Sequence, residues 1–108
     1  MTQTDSLPEF PVRRADPGVE RQVLSEDPAL MVVSFRFEKG AVGAPHSHPH
    51  VQSTYVARGI FEFQRGGRTY LLKAGDSLIV PSGVEHGCRC LEAGELIDGF
   101  TPRREDFL

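Results

Sequence analysis

The chain has 108 residues, a formal net charge of -3 and 39% apolar residues, so it is long enough to form one domain with its own core. No run of like charges resembles a nucleic-acid-binding surface, and no apolar segment is long enough to cross a bilayer. We therefore expect a soluble, cytoplasmic, single-domain protein that binds neither nucleic acid nor a membrane.

The first segment, residues 1–18, is predicted to be an extended arm. It contains Pro8, Pro11 and Pro17 and shows little apolar periodicity, and prolines interrupt helices. From Val19 onward, short runs rich in β-branched and aromatic residues are bounded by glycine or proline, and no helical spacing is sustained. Residues 19–108 are therefore predicted to form one all-β domain.

The strands predicted in this domain are short and closely spaced. They are Glu20–Leu24, Leu30–Glu38, Ala44–His48, Gln52–Arg58, Ile60–Gln64, Thr69–Lys73, Ser77–Val80, Gly87–Leu91 and Glu95–Phe100. Turns are predicted at Gly66-Gly67, Gly75-Asp76 and Ala93-Gly94. Many short strands at this spacing indicate a sandwich or a closed barrel.

The four histidines are concentrated in two short segments. They are His46, His48, His50 and His86. Residues i and i+2 of a strand face the same side, so His46 and His48 can converge on one metal ion. Gln52 would approach from the next strand, and His86 from a distant strand. A single histidine is more often a surface or hydrogen-bonded core residue, but this concentration predicts a divalent metal site.

The two cysteines, Cys88 and Cys90, are separated by one residue, which is an awkward spacing for a disulfide and gives no zinc framework. A reactive thiol pair is one interpretation. We favour the other, in which both are reduced and buried as small hydrophobic residues on one strand face.

The residues around the histidines resemble the two motifs of the cupins at full spacing. The matching positions are Gly40-x5-His46-x-His48-x3-Gln52-x6-Gly59 and Gly75-x5-Pro81-x-Gly83-x2-His86, which span about half of the chain. The resemblance implies that residues 19–108 form a cupin domain, a double-stranded β-helix or jelly-roll barrel. It also implies one metal ion inside the barrel and a homodimer.

Two positions depart from the common cupin pattern, which usually has glutamate in place of Gln52 and asparagine in place of Cys90. Because a neutral amide cancels none of the charge of the ion, the centre should attract an anion, and we expect a small acidic substrate. Nickel, zinc, iron, manganese or copper would suit these ligands. His50 is expected at the mouth of the site rather than on the ion, because Pro49 redirects the chain.

The C-terminal segment places Asp98 and Phe100 on one face of the last predicted strand, with Arg104 shortly after it. If this face lines the barrel, Phe100 can support a sugar ring, Arg104 can bind a carboxylate and Asp98 can transfer a proton. The alternative is an exposed strand in which Asp98 caps a turn and Arg104 pairs with Glu105 or Asp106.

A narrower resemblance covers nearly all of the chain after the arm. It rests on His48-Pro-His50-Val-Gln52, Tyr55-Val56, Phe61-Glu62-Phe63, His86-Gly-Cys88-Arg-Cys90-Leu-Glu92 and Asp98–Leu108. These runs are similar to the KdgF-type pectin-degradation cupins, which convert 4,5-unsaturated monouronates from pectin or alginate into linear 5-keto-4-deoxyuronate.

This resemblance implies a metal-dependent, isomerase- or tautomerase-like enzyme that acts on a small acidic sugar. The implied metal ligands are His46, His48, Gln52 and His86, and the implied catalytic residues are Asp98, Phe100 and Arg104. One alternative is a cupin dioxygenase, in which Asp98 and Arg104 would have no clear task. A second is a non-catalytic module that binds a sugar acid.

Overall fold

The computed structural model describes residues 2–108, which form eight β-strands followed by one 3-10 helix. The strands are β1 (Arg13–Asp16), β2 (Val19–Asp27), β3 (Leu30–Phe37), β4 (Val42–His46), β5 (Val51–Arg65), β6 (Arg68–Lys73), β7 (Ser77–Val80) and β8 (His86–Thr101), and the helix is Glu105–Phe107. Within this part of the chain no helix is long and apolar enough to cross a membrane. The all-β prediction is confirmed.

All strand pairs are antiparallel, and the two longest strands organise them. The order is β1-β2-β3-β8-β5-β6, with β4 also paired to β8 and β7 also paired to β5. Strands β5 and β8 pair along most of their lengths, and each has further partners. A residue on either strand is therefore held by hydrogen bonds from two sides.

The pairing of strands β5 and β8 is irregular near Gly59 and Gly94, where the two backbones approach closely. A Cβ atom at Gly59 would lie 2.6 Å from the Glu92 carbonyl oxygen, and one at Gly94 would lie 2.1 Å from the Arg58 carbonyl oxygen. The predicted turn at Ala93-Gly94 is wrong, because β8 continues through this irregular stretch instead of reversing. Each of the two long strands was predicted as two separate strands for the same reason.

Strand β1 lies inside the segment that was predicted to be an extended arm. Residues 13–16 contain no proline, so their backbone donors are available, and they pair with β2 at one edge of the sheet. Arg13 and Arg14 are exposed there, which discourages pairing with a further strand. The sheet therefore begins before residue 19.

The core consists of two apolar clusters. The larger contains Val19, Phe37, Ala41, Val56, Phe61, Phe63, Leu72, Val80, Cys88, Cys90 and Leu96. The smaller contains Val23, Met31, Val33 and Phe100, with Phe10, Phe35 and Phe107 packed against it. Both cysteines are buried and free, as predicted. Burial raises the pKa of Cys88 to about 12, so its thiol is neutral.

Candidate metal centre and active site

Three histidines from different parts of the fold meet at one point. His46 ends β4, His86 begins β8, and the two residues are register partners. His48 lies in the loop after β4, two residues beyond the end of the strand. Strand β4 is therefore shorter than predicted at this end. One ring nitrogen from each of these histidines lies within 4.8 Å of the others, so the three could hold a metal ion.

Each of the three rings is oriented by a backbone carbonyl. The Nδ1 atom is 2.8 Å from the Ala44 oxygen in His46, 3.0 Å from the His50 oxygen in His48 and 3.0 Å from the Val84 oxygen in His86. Because a carbonyl only accepts, Nδ1 carries the proton and donates in each case. A neutral ring then has its lone pair on Nε2, the tautomer suited to metal binding through that atom.

Two histidines at the centre, His48 and His86, are held neutral. Burial lowers the pKa of His86 to about 4, with smaller opposing and reinforcing effects from its neighbours. Burial also lowers the pKa of His48. At neutral pH these rings therefore offer lone pairs rather than protons.

Gln52 faces the histidines with its amide oxygen. Oε1 lies 2.9 Å from His48 Nε2 and 3.1 Å from His86 Nε2. The amide nitrogen faces the other way, donating to Thr54 Oγ1 at 2.9 Å and to Asp98 Oδ2 at 3.4 Å. Thr54 thus fixes which end of the amide points at the rings.

These contacts bring acceptor atoms together with no proton between them. A neutral Nε2 and an amide oxygen repel each other, whereas a cation between them would bind both. Two ligand atoms about 2.1 Å from one ion and at right angles lie about 3.0 Å apart. The separations of 2.9 and 3.1 Å agree with that geometry. The donor set fits a divalent ion, and the four side chains predicted as its ligands do meet.

His50 lies beside this group without joining it. Its Nε2 is 3.2 Å from the Arg103 carbonyl oxygen, and its ring is 5.4 Å from that of His48 between centroids. It is absent from the triad that could hold an ion. This position agrees with the expectation that His50 neighbours the site.

Asp98 is a buried carboxylate on the core-facing side of β8, between Leu96 and Phe100. Burial raises the pKa of Asp98 to about 7, although the Thr54 hydroxyl and the Arg104 guanidinium act in the opposite direction. Its Oδ1 atom is buried and has no hydrogen-bond partner among residues 2–108. Asp98 is therefore a carboxyl group with one oxygen free to engage a ligand, and it does not cap an exposed turn.

Phe100 and Arg104 lie close together. Phe100 is buried, with its ring 5.7 Å from that of His48 and its face 5.2 Å from the Arg104 guanidinium carbon. Arg104 donates from Nε and Nη2 to the two oxygens of Asp106 at 3.0 and 2.8 Å. Both interpretations of Arg104 hold in part, because it pairs with Asp106 and also lines the internal cavity.

A cavity of about 370 Å³ connects these groups. Members of both core clusters line it, so it lies between them. Among its other lining residues are His46, Gln52, His86, Asp98, Phe100 and Arg104. The volume falls within the range of small-molecule sites. Three predicted metal ligands, His46, Gln52 and His86, thus line the same cavity as the three predicted catalytic residues.

Sequence reasoning missed the position of three residues near this cavity. They are Arg21, Thr54 and Asp106. The sequence does contain one indication that Arg21 faces inward. Arg21 lies midway between Val19 and Val23, which occupy the apolar positions of an alternating strand. The pairing of Arg104 with Asp106 was considered only as a surface contact, and nothing in the sequence distinguishes Thr54 from other strand threonines.

The fold and the histidine triad define a cupin. A family model described as "Cupin domain" matches residues 33–98. A crystal structure of an RmlC-like cupin from Shewanella frigidimarina superposes with a TM-score of 0.89 at 40% identity, covering 99% of this chain and 97% of that one. The chain belongs to the cupin family, and the predicted jelly-roll barrel is confirmed.

Two relatives narrow the class further. The chain is 41% identical over 102 residues to the pectin degradation protein KdgF of Dickeya dadantii, covering 93% of each protein. It is 35% identical to KdgF from Halomonas sp., with a TM-score of 0.87 and coverage of 95% of this chain and 100% of that one. The predicted similarity to KdgF-type cupins is confirmed.

Proposed function

We propose that the protein converts 4,5-unsaturated monouronates into linear 5-keto-4-deoxyuronate and that it requires one divalent metal ion. The observation that carries this proposal is the cavity lined by His46 and His86 of the histidine triad and by Asp98, whose Oδ1 has no partner among residues 2–108. Similarity to a pectin degradation protein supports a sugar acid as the substrate.

The proposed ion would be held by His46, His48, Gln52 and His86. When bound, it would act as a Lewis acid that stabilises negative charge on substrate oxygens. Gln52 leaves the charge of the centre uncompensated, which favours an acidic substrate. Thr54 keeps the amide oxygen of Gln52 directed at the rings.

The reaction is an isomerisation in which no atoms are lost. The bond between C1 and the ring oxygen breaks, and the proton of the anomeric hydroxyl leaves as C1 becomes an aldehyde. The ring oxygen remains on C5 as an enolate, which becomes a ketone when a proton is added at C4. The protein must therefore accept one proton and deliver one.

Three side chains have tasks in this scheme. Asp98 carries the proton through its free Oδ1, since a buried carboxyl with a raised pKa exists in both protonation states near neutral pH. Phe100 supports the sugar ring, and Arg104 contributes to binding the carboxylate.

The test follows the loss of the conjugated enol-ether absorbance of an unsaturated monouronate in the presence of metal-loaded protein. We expect acceleration by the wild type and a loss of about 100-fold or more in kcat for Asp98→Asn. Asp5→Asn, an exposed carboxylate in the N-terminal arm, is the matched control and should match the wild type. Equal rates for Asp98→Asn and the wild type would refute the proposed role of Asp98.

Two further measurements separate the isomerase from the two alternatives. A dioxygenase would consume oxygen in proportion to substrate, which an oxygen electrode detects. A binding module would bind the uronate in calorimetry and leave its absorbance unchanged. Either result would reject the isomerase proposal.

We further propose that the protein is a homodimer. Val51, Tyr55 and Ile79 are exposed on β5 and β7, which are neighbouring strands, and large apolar side chains grouped in this way are typical of association surfaces. Analytical ultracentrifugation should give twice the 11.9 kDa mass of the chain. A single species at the monomer mass would contradict it.

A further inference from the structure

Arg21 is a charged residue at a core-facing position of β2. It lies between Val19 and Val23, both of which are buried, and its register partner on β3 is Phe35. Phe35 in turn pairs with Leu96 on β8. Registered side chains share one face of a sheet, so Arg21 faces the same side as Leu96 and lines the same cavity as Asp98.

Arg21 forms no ion pair with any carboxylate in the described part of the chain. Across residues 2–108 no carboxylate oxygen lies within the 4.0 Å of an ion pair with its guanidinium, whereas Arg103 pairs with Glu26 and Arg104 pairs with Asp106. Burial lowers the pKa of Arg21, and the charge of Arg104 lowers it further, although Asp106 opposes this. The cavity therefore contains a partly desolvated cation that forms no ion pair of its own within residues 2–108.

One aromatic ring contacts both Arg21 and Arg104. The guanidinium carbons of both residues lie 4.2 Å from the centroid of Phe107. Arg104 uses Nε and Nη2 on Asp106, which leaves Nη1 as its free donor group. The nitrogen atoms of Arg21 are all uncommitted within residues 2–108. Of the two arginines, Arg21 thus has more capacity to bind an incoming anion.

We propose that Arg21 binds the carboxylate of the acid that enters the cavity and makes the site selective for acids over neutral sugars. A planar guanidinium can donate two parallel hydrogen bonds to a carboxylate. The identity of the acid as a uronate rests on the proposed function. The position and unpaired charge of Arg21 do not depend on it.

The test compares Arg21→Gln, Arg21→Lys and the wild type, all loaded with metal. Calorimetry measures binding of D-galacturonate, a stable saturated uronate, and of neutral D-galactose. We expect Arg21→Gln to weaken galacturonate binding at least 10-fold and to leave galactose binding unchanged. Arg21→Lys should fall between, because it keeps the charge and loses the planar pair of donors.

Arg14→Gln is the matched control. It removes the same charge from an exposed position on β1, opposite Glu20 on β2, and does not line the cavity. Galacturonate binding by this variant should equal that of the wild type. Metal content and the thermal midpoint, measured for every variant, establish that each is folded and loaded.

Kinetics with an unsaturated monouronate separate this inference from the proposed reaction. A KM raised at least 10-fold in Arg21→Gln, with kcat within about 3-fold of the wild type, supports Arg21 as a binding residue. If galacturonate binding depends on Arg21 but the protein does not turn over the unsaturated monouronate, the proposed reaction is rejected. The role of Arg21 is then still supported. Turnover with an unchanged KM, or equal galacturonate binding by the wild type and Arg21→Gln, would overturn the role of Arg21.

Discussion

The two ends of the cavity are held in place by different kinds of interaction. At the histidine end, His46, Gln52 and His86 lie on strands of the sheet, and each histidine of the triad is oriented by a backbone carbonyl. At the arginine end, Arg104 belongs to the segment after β8 and is held by Asp106 and by aromatic rings.

This difference indicates how each end should tolerate change. Ligands of a metal ion must converge within a few tenths of an ångström, which strands paired within a sheet can provide. A carboxylate can be bound by side chains that adjust, and each contact between a cation and an aromatic ring contributes only about 0.5–1 kcal/mol. We therefore expect abrupt losses at the histidine end and graded losses at the arginine end.

The largest effect should come from His48→Ala. Removing this ring leaves two histidines and one amide oxygen, so bound metal measured by mass spectrometry should fall from about one ion per chain to less than about one-tenth. Added metal should raise the thermal midpoint of the wild type and leave that of the variant unchanged. His50→Ala removes a neighbouring ring outside the triad and should retain the ion. Metal loss in both variants would contradict the assignment.

The next effect concerns the strands that carry the histidine end. Gly94→Ala would place a methyl group 2.1 Å from the Arg58 carbonyl oxygen, and neither backbone can move without disturbing the ladder between β5 and β8. We expect the free energy of unfolding to fall by about 3 kcal/mol or more in chemical denaturation. Gly99→Ala on the same strand meets no atom within 4 Å and should cost less than about 1 kcal/mol. Similar losses of unfolding free energy for the two variants would show that Gly94 and the Arg58 carbonyl are not closely packed.

The sequence allowed good prediction of the histidine end because its signals are local. His46 and His48 are two residues apart, Gln52 follows shortly after, and His86 was found through a motif with its own glycines and proline. The structure brings all four side chains together. The burial of Cys88 and Cys90 also followed from a local pattern.

The remaining features depend on contacts that no local pattern contains. Ala93-Gly94 has the composition of a turn, but it lies inside one long strand, at an irregular stretch of the pairing where Gly59 of β5 approaches closely. Arg21 lies on β2, far along the chain from Asp98 and Arg104, with which it lines the cavity, and only its apolar neighbours mark it as inward-facing. Such pairings emerge only when the sheet is assembled.

Thr54→Val tests whether the precision of the histidine end extends to the groups that orient its ligands. Valine has nearly the same shape but accepts no hydrogen bond, so the Gln52 amide loses the partner that directs its oxygen toward His48 and His86. Metal affinity, measured by competition with a chelating dye, should fall about 10- to 100-fold. Thr54→Ser keeps the hydroxyl and should lose less than about 3-fold. An unchanged affinity in Thr54→Val would mean that Gln52 is oriented without the hydroxyl.

The smallest effect should come from Phe107→Leu at the arginine end. Leucine keeps an apolar contact with the smaller core cluster but has no aromatic face for the guanidinium groups of Arg21 and Arg104, each 4.2 Å from the ring centroid. Because a contact between a cation and an aromatic ring contributes about 0.5–1 kcal/mol, losing it should lower galacturonate affinity about two- to five-fold. Metal affinity should not change.

Phe10→Leu removes an aromatic ring from the same cluster without touching the cavity and controls for packing. A loss of metal in Phe107→Leu would mean that the two ends are mechanically coupled, and the graded behaviour expected of the arginine end would be wrong.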